Sequence, residues 1–290
     1  MSNTTVDLSQ VPYGYIPGVY VAYSMLAAFG SILAIHLFLI IRHRTWFLLP
    51  TVVMCTFLEL LGWVARLWSH HKPTLYLPYM AQLATLILGP AHLLGAIYII
   101  FGRVVELLGP KYSRLNPTRY SLIFTACDTL STLLQVTGGT LASRRNANPD
   151  SGSRLMLIGF GIQLATLLAF SVCAIEFSYR YSKDIPVNSS KDSYRGPFSK
   201  GVKFTNLALT VAMLCLTTRI VYRLTALAGG WNGKAMHQEM LFNIFDGAMV
   251  IQAMVMFIMV HPGKNLRSED VPSMNTRLPL ADFNQKRDRV

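Results

Sequence analysis

The stretch FLLPTVVMCTFLELLGWVARLWS, residues 47–69, decides the fold. It is apolar at most positions and long enough to cross the hydrocarbon core of a bilayer, which takes about twenty helical residues. Yet it carries Glu59 and Arg66. A charge at that depth costs kilocalories unless it faces protein or water, so this helix must belong to a bundle with a polar interior. The two residues are seven apart, close to two helical turns, and therefore share a face.

Six further stretches of similar length lie at 17–41, 79–101, 119–142, 155–177, 203–227 and 239–261. The predicted fold class is all-α, a polytopic membrane protein built as a seven-transmembrane-helix bundle over residues 16–263. Residues 1–15 and 264–290 lose hydrophobic periodicity and read as exposed tails, too short for a separate soluble domain. Composition agrees: 52% hydrophobic and 14% charged residues, with a mean hydropathy of +0.39, leave little surface for a water-soluble globule.

A net charge of +12 would suggest nucleic acid if the basic residues formed one patch, but they divide by loop instead. Eighteen fall in the loops after the first, third and fifth spans and in the C-terminal tail. Five fall on the other side and three lie inside spans. The positive-inside rule then puts the N-terminus outside and the C-terminus in the cytosol, with attraction to anionic membrane lipids as a secondary consequence. In this arrangement Asn3, in Asn3-Thr4-Thr5, is the glycosylation candidate, whereas Asn188 is cytosolic and unmodified. No basic segment with a cleavage site precedes the first span, which is expected to remain in the mature protein. Tyr13, Tyr15, Tyr20, Trp46, Tyr120 and Trp231 sit at span boundaries and read as an aromatic belt.

The polar groups inside the spans carry the functional information. Asp128 and Gln135 are seven apart, as are Glu239 and Asp246, and Arg219 and Arg223 are four apart; each pair shares a face that should turn toward the bundle centre. A rise of about 1.5 Å per residue puts Glu59 and Asp128 within about 3 Å of the midplane, and Arg219 and Asp246 each about 6 Å toward the outer side. Arg219 and Asp246 are the expected ion pair, a contact that serves helix register as well as it serves a ligand. Glu59 and Asp128, with no arginine at equal depth, suit a cationic amine or a proton. Pro90 should kink the third helix beside His92, and glycines such as Gly138 and Gly139 allow close helix packing.

Other chemistries find less support. His36, His92, Asp128 and His261 invite a metal-hydrolase reading, but no short i, i+4 histidine pair is present, and no metal or cofactor is expected. The four cysteines lie on different spans and form neither a disulfide framework nor a zinc set. Gly229 to Ala235 lacks the spacing of a phosphate loop.

Taken in order, Glu59-Leu60-Leu61-Gly62-Trp63-Val64-Ala65-Arg66, Tyr79-x-x-Gln82, Pro90, Ala96 and Tyr98 resemble the fungal lipid-translocating exporter family of aminocholesterol-resistance and sphingoid long-chain-base exporter proteins. Asp128 with Gln135 and Gly138-Gly139, Gly161 with Gln163, Arg219-x-x-Tyr222-Arg223, Glu239 with Asp246, and His261-Pro262-Gly263 continue the resemblance. Two departures stand out: the acid usual shortly after the arginine motif is replaced around Ala226, and Phe242 stands where a tyrosine is usual.

The resemblance implies a non-enzymatic seven-helix membrane protein tied to resistance against toxic amphiphiles, sphingoid-base export or lipid asymmetry. It points first to the plasma membrane, with endoplasmic reticulum and vacuole fitting the same topology. The implied partner is an amphipathic lipid or xenobiotic, held or proton-coupled by Glu59, Arg66, Gln82, His92, Asp128, Gln135, Arg219, Arg223, Glu239 and Asp246. A receptor-like lipid sensor fits the same topology, and a metal-dependent lipid hydrolase is the third reading. Oligomeric state is not legible.

Overall fold

A computed structural model describes residues 11–143, 149–187, 194–231, 233 and 238–265. The described residues form helices and connecting turns, with no strand among them. Helix α1 spans Val19–His43, α2 Met54–His71, α3 Tyr76–Leu108, α4 Pro117–Ala142, α5 Pro149–Lys183 and α6 Lys200–Ala228. The last passage is broken into α7 (Glu239–Phe242), a π turn (Asn243–Ala248), α8 (Met249–Met259) and the short α9 (Pro262–Asn265). A second π turn, Leu49–Val53, contains Pro50 and leads into α2.

Local chemistry sets these boundaries. Pro117 stands in the first turn of α4, where its missing N–H is no loss. Ser199 caps α6, its side chain accepting the Val202 N–H at 3.3 Å. Six passages are apolar enough to cross a membrane unaided: Val19–His43, Trp46–His71, Tyr76–Leu108, Pro149–Lys183, Lys200–Ala228 and Glu239–Asn265. Helix α4 has the length, 26 residues, but threonines, serines, glycines, Gln135 and Asp128 dilute it. It packs along α3 and α5. The chain is an all-α membrane bundle.

Each helix packs on its chain neighbour, and α1 meets α8 to close the ring. Helix α3 is the most buried passage and also touches α5 and α6. On the α4–α5 seam the backbones nearly touch: a Cβ on Gly138 would lie 2.5 Å from the Met156 nitrogen, and one on Gly152 2.3 Å from the Ala142 nitrogen. Small residues are what permit such an approach between membrane helices.

Two helices exceed their expected spans. Helices α3 and α5 have 33 and 35 residues, or about 50 Å each at 1.5 Å per residue, so their ends project beyond a hydrocarbon core of about 30 Å. At the projecting end near Lys111, the connection to α6 folds back: the Val187 N–H donates to the Lys111 carbonyl at 2.8 Å, and the Gly196 N–H donates to the Leu108 carbonyl at 3.0 Å. There the Tyr112 hydroxyl bonds the Asp184 carboxylate. Burial and that carboxylate push the Tyr112 hydroxyl up to about 12, while the hydrogen bond holds Asp184 below its usual range.

At the opposite end, residues 11–15, the described part of the segment expected to be an exposed tail, pack on the bundle. Val11 and Tyr13 are buried against the bundle, because polar groups on α2 and α3 receive the tyrosine hydroxyl. Tyr120 is likewise a core residue rather than a belt residue, whereas Tyr20 and Trp46 are exposed. Residues 1–10, 144–148, 188–193 and 266–290, and with them Asn3, Asn188 and almost all of the C-terminal tail, lie outside the described residues.

Candidate functional site

Asp246 sits in the π turn of the seventh passage and is buried. Arg223, one passage back on α6, grips it as a fork, Nε to Oδ1 at 2.7 Å and Nη2 to Oδ2 at 2.8 Å. Arg219, one turn deeper, places Nε 2.9 Å from the same Oδ1 without hydrogen-bond alignment, so that contact is an ion pair only. Its Nη2 donates instead to the Leu86 carbonyl of α3 at 2.6 Å. Leu86 is four residues before Pro90, and proline has no N–H to fill that place in the helix.

Toward the Tyr13 end, Arg66 of α2 is buried and donates from Nη2 to Glu239 Oε1 and to the Tyr15 hydroxyl, both at 2.9 Å. The rings of Tyr13, Tyr15, Trp63 and Phe242 surround its guanidinium at 4.9 to 5.8 Å. Glu239 Oε1 also accepts the Gly18 N–H at 2.8 Å, which ties the start of α1 to the last passage. Gln82 accepts from the Tyr13 hydroxyl at 2.5 Å. Burial pushes the Tyr13 hydroxyl up to about 12, so this phenol stays protonated as a donor.

Glu59 lies deeper on the same face of α2 and within electrostatic reach of Arg219, Arg223 and Asp246. It is buried, and its Oε1 has no hydrogen-bond partner. A Cβ on Gly89 would stand 3.2 Å from that oxygen, so glycine gives the carboxylate its room against α3.

Asp128 belongs to a separate locus. Tyr98 donates to its Oδ2 at 2.6 Å, while Oδ1 is buried without a partner. Phe170 lies edge-on to Tyr98 at 4.7 Å, within an aromatic cluster that includes Phe101 and Phe124. One level away Gln135 donates to Gln163 at 3.0 Å, bridging α4 and α5.

The structure thus gathers Glu59, Arg66, Gln82, Arg219, Arg223, Glu239 and Asp246 around one axis, and sets Asp128 and Gln135 on another. His92 joins neither; it is half-buried and bonds the Leu88 carbonyl of its own helix at 2.8 Å. Asp246, expected to hold a cationic ligand, has both oxygens committed to arginines. Glu59, expected to lie without an arginine at its depth, has Arg219 nearby. Among the described residues no three His, Cys, Asp or Glu side chains gather as a metal set.

Sequence reasoning missed Tyr13 and Tyr15 as site residues because their boundary position also fits an aromatic belt. It missed the Leu86 carbonyl as the acceptor for Arg219, although Pro90 marks it. Nor did it find Asn206, a half-buried amide on the side of α6 that faces α5.

Space is distributed unevenly. The Arg66–Arg223 region encloses only about 50 Å³. Between α5 and α6 a lateral groove of about 500 Å³ is bordered by Phe101, Ser171, Ser178, Asn206, Thr210 and Thr217 among others. A further cavity of about 260 Å³, reaching Arg195 at the Lys111 end, shares Ser178, Ser182 and Asn206 with it.

The sphingoid long-chain base transporter RSB1 of Saccharomyces cerevisiae (strain ATCC 204508 / S288c) is 29% identical over 280 residues, covering 86% of this chain and 73% of its own. Protein RTA1 of the same strain is 31% identical over 219 residues, covering 75% of this chain and 66% of its own. Protein RTM1 of Saccharomyces cerevisiae is 28% identical over 202 residues, covering 69% and 63%. No solved structure matches. The family described as RTA1 like protein matches residues 52–269, a segment that holds all the charged residues of both loci. This chain therefore belongs to the RTA1-like family, the fungal lipid-exporter family to which the sequence resemblance pointed.

Proposed function

We propose that the protein moves a single-chain amphipathic lipid of the sphingoid long-chain-base class across a membrane, entering from the side between α5 and α6. The lateral groove is the observation that carries this reading. Its volume falls within the range of ligand sites, about 300–1,000 Å³. From Asn206 to Thr217 it follows eleven residues of α6, about 16 Å, or the depth of one leaflet of a hydrocarbon core of about 30 Å.

Its polar lining suits an amphiphile with a small hydroxylated head. Ser178 and Thr217 spend their hydroxyl protons on carbonyls of their own helices, at 2.8 Å each. The Asn206 amide has no such bond among the described residues and sits where the two cavities meet. Inward from the groove, Phe101, Phe170 and Tyr98 form one aromatic layer in front of Asp128, whose free oxygen suits an amine or a proton.

The charged cluster at the Tyr13 end acts in this reading as a latch between helices, since its space is too small for a lipid. By the distribution of basic residues the groove end at Arg195 faces the cytosol, and the protein takes up amphiphile from the cytosolic leaflet of the plasma membrane. The name of the relative RSB1 supports the substrate class and a transport role without bond-making chemistry.

A photoactivatable sphingoid base in membranes holding the full chain tests the entry site. Crosslinks are expected within 171–182 and 206–217, competed by unlabelled base. Crosslinks spread over all lipid-facing helices without competition would remove the groove from the account.

A further inference from the structure

The small cavity at the Tyr13 end has a chemically one-sided wall. Arg66, Arg223, Tyr15, Tyr79, Tyr222 and Gln82 border its 50 Å³. Most acceptors beside it are committed: both oxygens of Asp246 to Arg223, Glu239 Oε1 to Arg66 and Gly18, Gln82 Oε1 to Tyr13; Glu239, whose Oε2 is left over, does not border the cavity. Donors are left over. Arg66 is 1% exposed and its Nε is buried with no acceptor. The hydroxyls of Tyr79 and Tyr222 have no hydrogen-bond partner among the described residues, and the Tyr15 oxygen accepts from Arg66, which leaves its own proton unused.

The charge that borders the cavity is cationic, since Arg66 and Arg223 line it and no carboxylate among the described residues does. Three guanidiniums, Arg66, Arg219 and Arg223, face two paired carboxylates, Glu239 and Asp246. The third acid, Glu59, keeps one oxygen unpartnered.

We propose that this cavity binds one small monovalent anion of chloride size, held by Arg66 Nε and the hydroxyls of Tyr79 and Tyr222, with the Arg223 guanidinium behind it. An anion answers all of these donors at once, whereas a water would have to turn its protons toward the tyrosine oxygens. Size limits the guest as well: at about 50 Å³, a tenth of the lateral groove, the cavity has no room for a lipid head with its chain. The site is independent of the transport reading.

Thermal unfolding of the detergent-purified full chain, in sodium chloride against sodium gluconate at equal ionic strength, tests it. The midpoint is expected to rise with chloride and saturate, with bromide acting likewise, as for a ligand that binds only the folded state. Tyr79→Phe combined with Tyr222→Phe keeps both rings and should weaken chloride at least about tenfold, the loss expected for hydrogen bonds to a charge. Equal midpoints in the two salts, or a chloride response that the double phenylalanine variant leaves at the wild-type concentration, would overturn the proposal.

Discussion

Arg219 occupies the carbonyl that Pro90 leaves open. Its Nη2 lies 2.6 Å from the Leu86 oxygen, at the break in the α3 ladder, while its Nε faces Asp246. The proline of α3, the arginine of α6 and the acid of the last passage are thereby one mechanical unit, and a change at any of them is felt at the other two.

Pro90→Ala restores an N–H that competes for the Leu86 oxygen. Arg219→Gln should therefore be far more harmful in the parent protein, where the carbonyl is left unsatisfied, than in the Pro90→Ala background. A double-mutant cycle on thermal unfolding in detergent is expected to show coupling of about 0.5–3 kcal/mol. Additive effects would mean that the two residues act separately.

Asp246→Asn strips a buried double-arginine clamp, a loss of about 3–5 kcal/mol for a buried pair that loses one partner. Glu239→Gln should cost less, because that carboxylate is 25% exposed and its amide replacement still offers an acceptor to Gly18. Arg223→Lys cannot reproduce the two-pronged contact and should resemble Asp246→Asn more than a silent exchange. The folded fraction on size exclusion ranks the three.

Helix number and the polar interior are legible because a charge in an apolar span admits one explanation, and because seven-residue spacings fix faces. Arg219 with Asp246 follows from that logic. Arg223 takes the stronger grip on Asp246, which sits in the π turn at Asn243–Ala248, and no local propensity in the sequence announces that turn. The inward packing of Tyr13 and the α5–α6 groove depend on contacts between distant segments, which periodicity within one helix does not encode.

Tyr13 anchors the N-terminal segment over the site through Gln82 and Ser69. Tyr13→Phe leaves the Gln82 oxygen without its short bond and should lower stability by about 1–3 kcal/mol. It should also speed labelling of a cysteine placed at Ser69, read by a maleimide reagent; an unchanged labelling rate would argue against the segment as a cover.

The Lys111 end should respond to pH through Tyr112 and Asp184. The Asp184 value is depressed in the fold, so its contribution is present above the ordinary aspartate value of about 3.9 and is lost as pH falls through the lower folded value. The Tyr112 value is raised, so its contribution is full below about 10 and is lost as pH rises through about 12. Tyr112→Phe should flatten both edges of a stability profile relative to the parent.

Transport itself is tested by the movement of a labelled sphingoid base across sealed liposomes that contain the purified full chain. The account predicts movement above protein-free vesicles, slowed when Thr210→Trp fills the groove and when Asp128→Asn removes the free carboxylate oxygen behind it, while folding is retained. Movement no faster than in empty vesicles, or movement indifferent to the filled groove, would contradict it.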